Sequence, residues 1–220
     1  MKRRTRRLRV AAWLLGPLGV VVLVGAAGWL ATGYRGVTAA GGSMEPTYSI
    51  GARLLIERVD GDEVRRGDVV LLSMPSRYGG RPVLQRVVGL GGDRVAHAGG
   101  PTGPTRLNGR ELAEPYLRGG EANGGPAYDV RVPPGRLFLM GDQRGDSNDS
   151  RYFPSDHAGS VPLGAVQGRV VDSPVRPLVI AGAGVAGLGS AIGGLACGVA
   201  ARQARRRDEA MRLAGWPVQE

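Results

Sequence analysis

Two long uncharged segments limit the fold of this 220-residue chain more than any other feature of its sequence. Residues 10–31 and 178–201 contain no charged side chain and are rich in Val, Leu, Ala and Gly. A helix needs roughly 20 apolar residues to cross a bilayer, and each segment has about that length. The sequence therefore predicts transmembrane segments at 10–34 and 177–201, and it confines any globular domain to the residues between them.

Each apolar segment also has an alternative interpretation. Ala-rich sequence follows the first run, which is typical of a cleaved secretory signal, although the length of the run favours a permanent anchor. The alternative for the second run is a Gly/Ala-rich tail without fixed structure. Its small residues also allow close helix packing in lipid, and the arginines at 202–207 favour a membrane stop at its end.

The net charge of +10 is concentrated beside these segments. Residues 1–9 carry six basic residues and no acid, whereas residues 35–176 carry 18 arginines against 16 acids. Because basic flanks of membrane spans favour the cytoplasmic side, both termini (1–9 and 202–220) are expected in the cytoplasm. The middle domain is then extracytoplasmic at the plasma membrane, with the lipid bilayer as a partner. Its small excess of positive charge does not suggest nucleic-acid binding.

The middle segment, 38–172, has the pattern of an all-β domain. Short runs rich in β-branched residues alternate with turn-forming Gly, Pro and Asp, and no run shows convincing amphipathic helical periodicity. The predicted strands are 53–59, 69–72, 82–90, 94–97, 106–107, 128–132, 137–140 and 166–171. The single cysteine, Cys197, excludes an internal disulfide, and the two histidines, His97 and His157, are too far apart in sequence to suggest a zinc motif.

A serine lies in a turn just after the first apolar segment. The turn reads Gly41-Gly42-Ser43-Met44-Glu45-Pro46-Thr47. Its glycine pair permits unusual backbone angles and close approach of another segment, and Pro46 favours an extended Glu45. An exposed serine in such a turn suits a nucleophile, provided that a neighbouring group accepts its proton. The alternative is a linker serine between an anchor and a domain.

A dense polar loop, residues 141–151, follows the predicted strand 137–140. Its mixture of Asp, Arg and Ser favours an internally hydrogen-bonded scaffold, because a calcium site needs more carboxylates at alternate positions. A calcium-like loop and a solvated turn are the alternatives that the loop alone leaves open.

Taken together and in this order, four blocks of the sequence resemble the bacterial type I signal peptidases, the membrane-bound serine endopeptidases that remove signal peptides. The blocks are residues 43–47, 67–70, 86–93 and 141–151. The resemblance implies an antiparallel β domain of the signal-peptidase type on the outer membrane face, flanked by the two transmembrane helices. It also implies no cofactor or metal, and secretory precursors with small residues at the first and third positions before the cut as substrates.

In this family a serine attacks the scissile carbonyl and a lysine accepts its proton. The resemblance assigns the serine to Ser43 and the lysine position to Gln85, directly before Arg86. Lys2 is the only lysine in the chain and is expected on the other side of the membrane. A glutamine amide has no usable basicity and a guanidinium stays protonated, so the general base is missing. Such a loss typically costs ~10²–10⁴ in rate.

The resemblance also assigns supporting residues in the polar loop. Ser147 corresponds to the residue that hydrogen-bonds the lysine amine, and here it is expected to bond the Gln85 amide instead. Asp149 and Arg151 correspond to an ion pair that supports the site, and the remaining supporting residues of the loop are Asp142 and Arg144.

For the oxyanion of the reaction, the backbone N–H of Ser43 is expected to be one donor. Some relatives add a serine hydroxyl two positions before the nucleophile, where this chain has Gly41. Gln85 is expected to retain at most a hydrogen bond to Ser43 Oγ, which holds the hydroxyl without deprotonating it.

Three functions are compatible with this sequence. The first is a signal peptidase that still cleaves, slowly or with His97 or His157 as an unassigned base. The second is a catalytically silent homologue that binds signal peptides or a sibling peptidase, and the third is a membrane scaffold. The retained Ser43 favours the first two, and the missing lysine favours the silent homologue.

Overall fold

A computed structural model describes residues 2–100, 103–117, 125–173 and 175–213 of the chain. The chain divides into two compact units, one formed by residues 1–33 with 173–220 and the other by residues 34–172. The first unit is helical and the second is built from β-strands.

The helical unit contains both predicted membrane segments. Helix α1 spans Lys2–Gly33 and helix α3 spans Val175–Leu213, and within them residues 9–33 and 175–211 are long and apolar enough to cross a membrane. Both helices run further than the predicted segments, because α1 includes the basic N-terminus and α3 continues into the predicted basic tail. The last part of that tail, residues 214–220, lies outside the described residues.

Glycines let the two long helices approach closely. A Cβ added at Gly19 would overlap the backbone of Gly187 and Ala191, and one added at Gly194 would lie 2.5 Å from the backbone nitrogen of Gly16. This is the packing by small residues that is common between helices in lipid.

The β unit consists of eleven strands in the described residues. They are β1 Tyr34–Thr38, β2 Arg53–Glu57, β3 Val69–Leu72, β4 Val83–Leu90, β5 Arg94–His97, β6 Arg106–Leu107, β7 Arg110–Glu111, β8 Tyr128–Arg131, β9 Arg136–Met140, β10 Val161–Pro162 and β11 Val166–Val170. A seven-stranded antiparallel sheet has the order β1-β2-β11-β3-β4-β9-β10, and a four-stranded antiparallel sheet has the order β7-β6-β5-β8. The predicted antiparallel β domain between two candidate membrane helices is confirmed.

All eight predicted strands are present, with ends shifted by at most two residues. The sequence missed β1, because residue 34 was assigned to the membrane anchor, and the β unit therefore begins at Tyr34 instead of at 38. It also missed the two-residue strands β7 and β10 and a single helical turn, α2, at Pro75–Tyr78. Each of these is too short to show a hydrophobic period.

The core of the β unit positions the turn that contains Ser43. Strand β3 is buried along its whole length, as its four consecutive apolar residues predict for a central strand. Met44 is 1% exposed and belongs to the same core cluster as Leu71 of β3 and Leu84 of β4. Burial of Met44 thus fixes the turn against the middle of the seven-stranded sheet.

Candidate active site

Ser43 lies in a turn, as predicted, but it is half-buried between the buried neighbours Gly42 and Met44. Its carbonyl oxygen accepts a hydrogen bond from the backbone N–H of Gln143 at 3.0 Å, which ties the turn to the polar loop. Within the described ranges, the backbone N–H of Ser43 donates no hydrogen bond. It is therefore available as the oxyanion donor that the sequence predicted.

The two glycines before Ser43 match the expectation only in part. Neither adopts a positive φ, so unusual backbone angles are not the reason for them. A Cβ at Gly42 would lie 3.3 Å from Gln143 Oε1 and 3.4 Å from Asp146 Oδ2, so close approach of the polar loop explains this glycine. A Cβ at Gly41 meets no described heavy atom within 4 Å, and the position offers no hydroxyl to the site.

Gly141 brings the polar loop against Ser43. A Cβ at this position would overlap Ser147 Oγ and would lie 2.6 Å from the carbonyl oxygen of Ser43. Only a glycine allows the end of β9, the serine turn and Ser147 to meet at this point. The sequence offered no sign of this role beyond the position of Gly141 directly after a hydrophobic strand.

Gln85 lies in the middle of β4 and is 2% exposed. Its Nε2 donates hydrogen bonds to the carbonyl oxygen of Asn148 at 2.9 Å and to the hydroxyl of Tyr78 at 3.2 Å. In the described part of the chain, no hydrogen bond joins Gln85 to Ser43 or to Ser147. The expected bond between the Gln85 amide and Ser147 is therefore wrong, because the amide nitrogen is directed at other acceptors.

Two buried polar atoms beside this position have no partner. Gln85 Oε1 and Ser147 Oγ are both buried without a hydrogen bond among the described residues. The neighbours of the Gln85 head group, Asn148 and Tyr78, each offer an acceptor. An ammonium group has three donors and no acceptor, whereas an amide also has an acceptor oxygen that needs a donor. The hydrogen-bonding pattern around position 85 thus suits an amine better than an amide.

Arg86 points to the opposite face of β4, as successive strand residues must. Its guanidinium donates to the side chain of Asp142, with Nε 2.7 Å from Oδ1, and Thr47 donates to the same carboxylate. Burial alone lowers the pKa of Arg86, but the hydrogen bonds to Asp142 outweigh burial and raise this pKa above its ordinary value. Arg86 therefore stays protonated and holds the Thr47 end of the serine turn in place.

Asp149 and Arg151 form a fully buried ion pair. Both side chains have an exposure of 0%, and Arg151 Nε and Nη2 each lie 2.8 Å from a carboxylate oxygen of Asp149. Asp149 Oδ2 also accepts the backbone N–H of Gly141 at 3.0 Å. The loop is the hydrogen-bonded scaffold that the sequence favoured over a calcium site.

Arg144, whose side chain is 2% exposed, completes the scaffold. Its Nε donates to the carbonyl oxygen of Gly141 at 3.0 Å, and its guanidinium forms an ion pair with Glu114. The sequence reasoning missed Glu114 as the partner of Arg144, because 30 residues separate the two and no local pattern links them.

The two histidines considered as replacement bases have partners other than Ser43. His97 is buried on β5, where its ring nitrogens face the carbonyl oxygens of Pro104 and Gly100, and His157 is exposed beside Asp156. Neither histidine forms a hydrogen bond with Ser43 in the parts of the chain that the structure describes. Tyr78 lies beside Gln85, but burial raises the pKa of its phenol above the ordinary value, despite the opposing hydrogen bond from Gln85.

A groove of about 280 Å³ opens beside Ser43. It is lined by residues 37–41, 43–44, 71 and 81–84, which are mostly small or apolar. Strand β1, which forms one wall, is the first strand of the seven-stranded sheet, and among the described residues no strand pairs with its outer edge. Such an edge can accept an extended peptide as an added strand.

The family model and the curated relatives that match this chain are signal peptidases. The family model for signal peptidase, peptidase S26, matches residues 10–173. Signal peptidase I from Bacillus caldolyticus is 32% identical over 144 residues, which cover 59% of this chain and 73% of the relative. Signal peptidase I from Pseudomonas fluorescens is 31% identical over 169 residues, which cover 55% of this chain and 57% of the relative.

A crystal structure of a signal peptidase I from Enterococcus faecalis is 28% identical, covers 49% of this chain and 97% of that chain, and superimposes with a TM-score of 0.40. The chain thus spans nearly three quarters of the Bacillus relative and little more than half of the Pseudomonas relative.

Proposed function

This chain belongs to the peptidase S26 family of signal peptidases, and from that membership we propose that it binds the signal peptides of secretory precursors while hydrolysing them far more slowly than a family member with lysine at position 85. The observation that carries this proposal is the buried Gln85, whose amide occupies a position with the hydrogen-bonding pattern of an amine.

Peptide binding is supported by the groove beside Ser43. Its volume of about 280 Å³ lies at the small end of ligand pockets, which suits small side chains near the cut. One wall of the groove consists of residues with small side chains, Ala39, Ala40 and Gly41. The outer edge of β1 is available to form hydrogen bonds with the backbone of an extended peptide. A precursor bound in this way presents its scissile carbonyl to Ser43.

Slow turnover follows from the chemistry of the serine. When Ser43 Oγ attacks the carbonyl carbon, its proton must leave and the carbonyl oxygen becomes an oxyanion. The backbone N–H of Ser43 stabilises the oxyanion, but Gln85 accepts no proton at neutral pH, so the proton of Ser43 must pass to solvent water, a weak base. Loss of a general base lowers the rate by ~10²–10⁴ while binding and oxyanion stabilisation persist. Precursors captured without turnover are then left to a sibling signal peptidase in the same membrane.

The proposed orientation places both termini in the cytoplasm and the β unit outside the plasma membrane. The basic residues at the start of α1 and at the end of α3 support it through the positive-inside bias. Protease added to intact spheroplasts should then remove the β unit and leave α1 and α3 as protected fragments. Complete protection of the β unit would contradict this orientation.

The experiment that tests the function measures binding and cleavage in one preparation of the full-length protein in lipid nanodiscs. The probe is a fluorescent precursor peptide with alanine at the first and third positions before the cut, and the matched control peptide carries tryptophan at both positions. We expect the alanine peptide to bind equally well to wild type and Ser43→Ala, with slow cleavage in wild type alone. Equal binding of both peptides would contradict the groove assignment. Cleavage at ordinary enzyme rates, about 1–10³ per second, would contradict the slow-turnover assignment.

A further inference from the structure

An apolar groove of about 630 Å³ runs between α1 and α3, at the end of the helix pair where the basic residues lie. Ala12, Gly16 and Val20 line it from α1, and Gly194, Leu195 and Gly198 line it from α3. The groove belongs entirely to the helical unit and has no part in the site around Ser43.

The groove exists because glycines in its lining have no side chain, and the close packing of the two helices keeps it from closing. At Gly194 the helix backbones come so close that an added Cβ would lie 2.5 Å from the nitrogen of Gly16. A Cβ added at Gly16, in contrast, meets no described heavy atom within 4 Å. The helices therefore cannot move closer to fill the space, and the space itself remains open.

Three arginines surround the mouth of the groove. Arg9, Arg202 and Arg205, together with Trp13, line an adjoining depression of about 270 Å³. Within residues 2–100, 103–117, 125–173 and 175–213, none of these arginines forms an ion pair with an acidic side chain. The mouth is therefore strongly basic while the groove behind it is apolar.

The length of the groove corresponds to one leaflet of a bilayer. From Ala12 to Val21 the helix rises about 14 Å, at 1.5 Å per residue, which is about half of the ~30 Å hydrocarbon core. Trp13 is 77% exposed beside the mouth, at the level where indole rings favour the membrane interface.

From this combination we propose that the groove binds an anionic phospholipid, with one acyl chain between the helices and the phosphate against Arg9, Arg202 and Arg205. The apolar length accepts the chain, and the basic mouth pairs with the headgroup charge. A third protein helix fits less well, because it would leave three arginines without a partner. Anionic lipids are abundant in the cytoplasmic leaflet, where basic residues beside a membrane span gain roughly fivefold in affinity each.

The test uses the fluorescence of Trp13 in the full-length protein, with Trp29→Phe and Trp216→Phe as background substitutions. The protein is placed in nanodiscs that contain brominated phosphatidylglycerol or brominated phosphatidylcholine with the same acyl chains. We expect stronger quenching of Trp13 by the anionic lipid at equal mole fraction, and roughly tenfold or greater loss of this preference in Arg202→Gln/Arg205→Gln. The matched variant Arg206→Gln/Arg207→Gln, which changes arginines outside the groove, should keep most of it.

A second pair of variants separates the groove from general surface charge. Gly16→Leu fills the groove and should abolish the preference, whereas Gly25→Leu, on the same helix and equally unobstructed, should leave it intact. Equal quenching by the two lipids, or equal effects of the two leucine variants, would overturn the proposal. Cross-linking of α1 to a second copy of the chain through the groove would overturn it as well, because the occupant would then be protein.

Discussion

The charged side chains of the polar loop 141–151 differ from two uncharged groups, Gln85 Oε1 and Ser147 Oγ, in whether they have hydrogen-bond partners. In the loop, the side chains of Asp142, Arg144, Asp149 and Arg151 are paired with one another or with neighbouring residues at short distances. Gln85 Oε1 and, within the loop, Ser147 Oγ are buried without a hydrogen bond among the described residues. The difference indicates that the charged framework of the loop is satisfied, whereas Gln85 and Ser147 do not satisfy each other. A general decay of the proposed site would have affected the charged framework as well.

The largest effect on folding is expected at the Asp149–Arg151 pair. Asp149→Ala leaves the guanidinium of Arg151 buried without its carboxylate and should lower the free energy of unfolding of the β unit by about 3–5 kcal/mol. The control is Asp129→Ala, which removes an exposed ion pair with Arg94 and should leave stability nearly unchanged. Hydrogen exchange of β3 and β4 in the full-length protein in detergent measures both values. Similar costs would show that the loop is not the rigid support described above.

A smaller effect is expected at the glycine that joins the loop to Ser43. Gly141→Ala forces Ser147 and the carbonyl of Ser43 apart and should destabilise the β unit by about 1–3 kcal/mol. Gly145→Ala lies in the same loop, where an added Cβ meets no described heavy atom within 4 Å, and should be nearly neutral. The same exchange measurement compares the two. If Gly145→Ala proved as costly as Gly141→Ala, close approach would not explain Gly141.

The two buried serines of the loop test the contrast most sharply. Ser150 Oγ accepts the backbone N–H of Leu139 at 3.0 Å, so Ser150→Ala should cost about 1–3 kcal/mol. Ser147 Oγ has no partner in the described part of the chain, so Ser147→Ala should leave stability unchanged or raise it slightly. A large loss of stability in Ser147→Ala would mean that its hydroxyl is bonded and that the contrast between the charged framework and these two uncharged groups is false.

The smallest effect concerns pH and Asp93, a buried carboxylate with a full set of partners. Burial alone raises the pKa of Asp93, but hydrogen bonds from Arg66, Asn108 and the N–H of Leu90 hold it below the ordinary value. A pKa lowered by folding gives stability that is present above the unfolded pKa of about 4 and is lost as the pH falls through the folded value. We therefore expect Asp93→Asn to cost about 1 kcal/mol or less at pH 7, and to cost less as the pH falls through the folded pKa of Asp93. A difference from wild type that grows towards pH 3 would contradict this sign.

Much of the fold was predictable because its signals are local. The apolar length of α1 and α3 and the β-branched runs of β3, β4 and β9 depend only on neighbours in sequence. Strand β1 was missed because it follows α1 without a turn signal, so its first residue was assigned to the anchor. Its strand identity comes from pairing with β2, in which Tyr34 lies opposite Glu57.

The sequence proposes the residues of the candidate site but not their hydrogen bonds. Ser43, Gln85 and the polar loop were proposed from ordered sequence blocks, and their catalytic roles stay predictions. The direction of the Gln85 amide depends on Asn148 and Tyr78, which approach it only through the folded sheet. For the same reason the pairing of Arg144 with Glu114 and the contact of Gly141 with Ser43 and Ser147 could not be predicted from sequence.

The central claim is that a single residue separates this site from an efficient peptidase, and Gln85→Lys tests it most directly. Cleavage of the alanine precursor peptide would be measured for wild type, Gln85→Lys, Ser43→Ala and the double variant Ser43→Ala/Gln85→Lys in nanodiscs. A lysine at this buried position can serve as a base because burial lowers its pKa. We expect Gln85→Lys to raise the rate by about 10²–10⁴ over wild type and Ser43→Ala to abolish the gain in the double variant. A Gln85→Lys protein that folds and binds the peptide but cleaves no faster than wild type would contradict the claim.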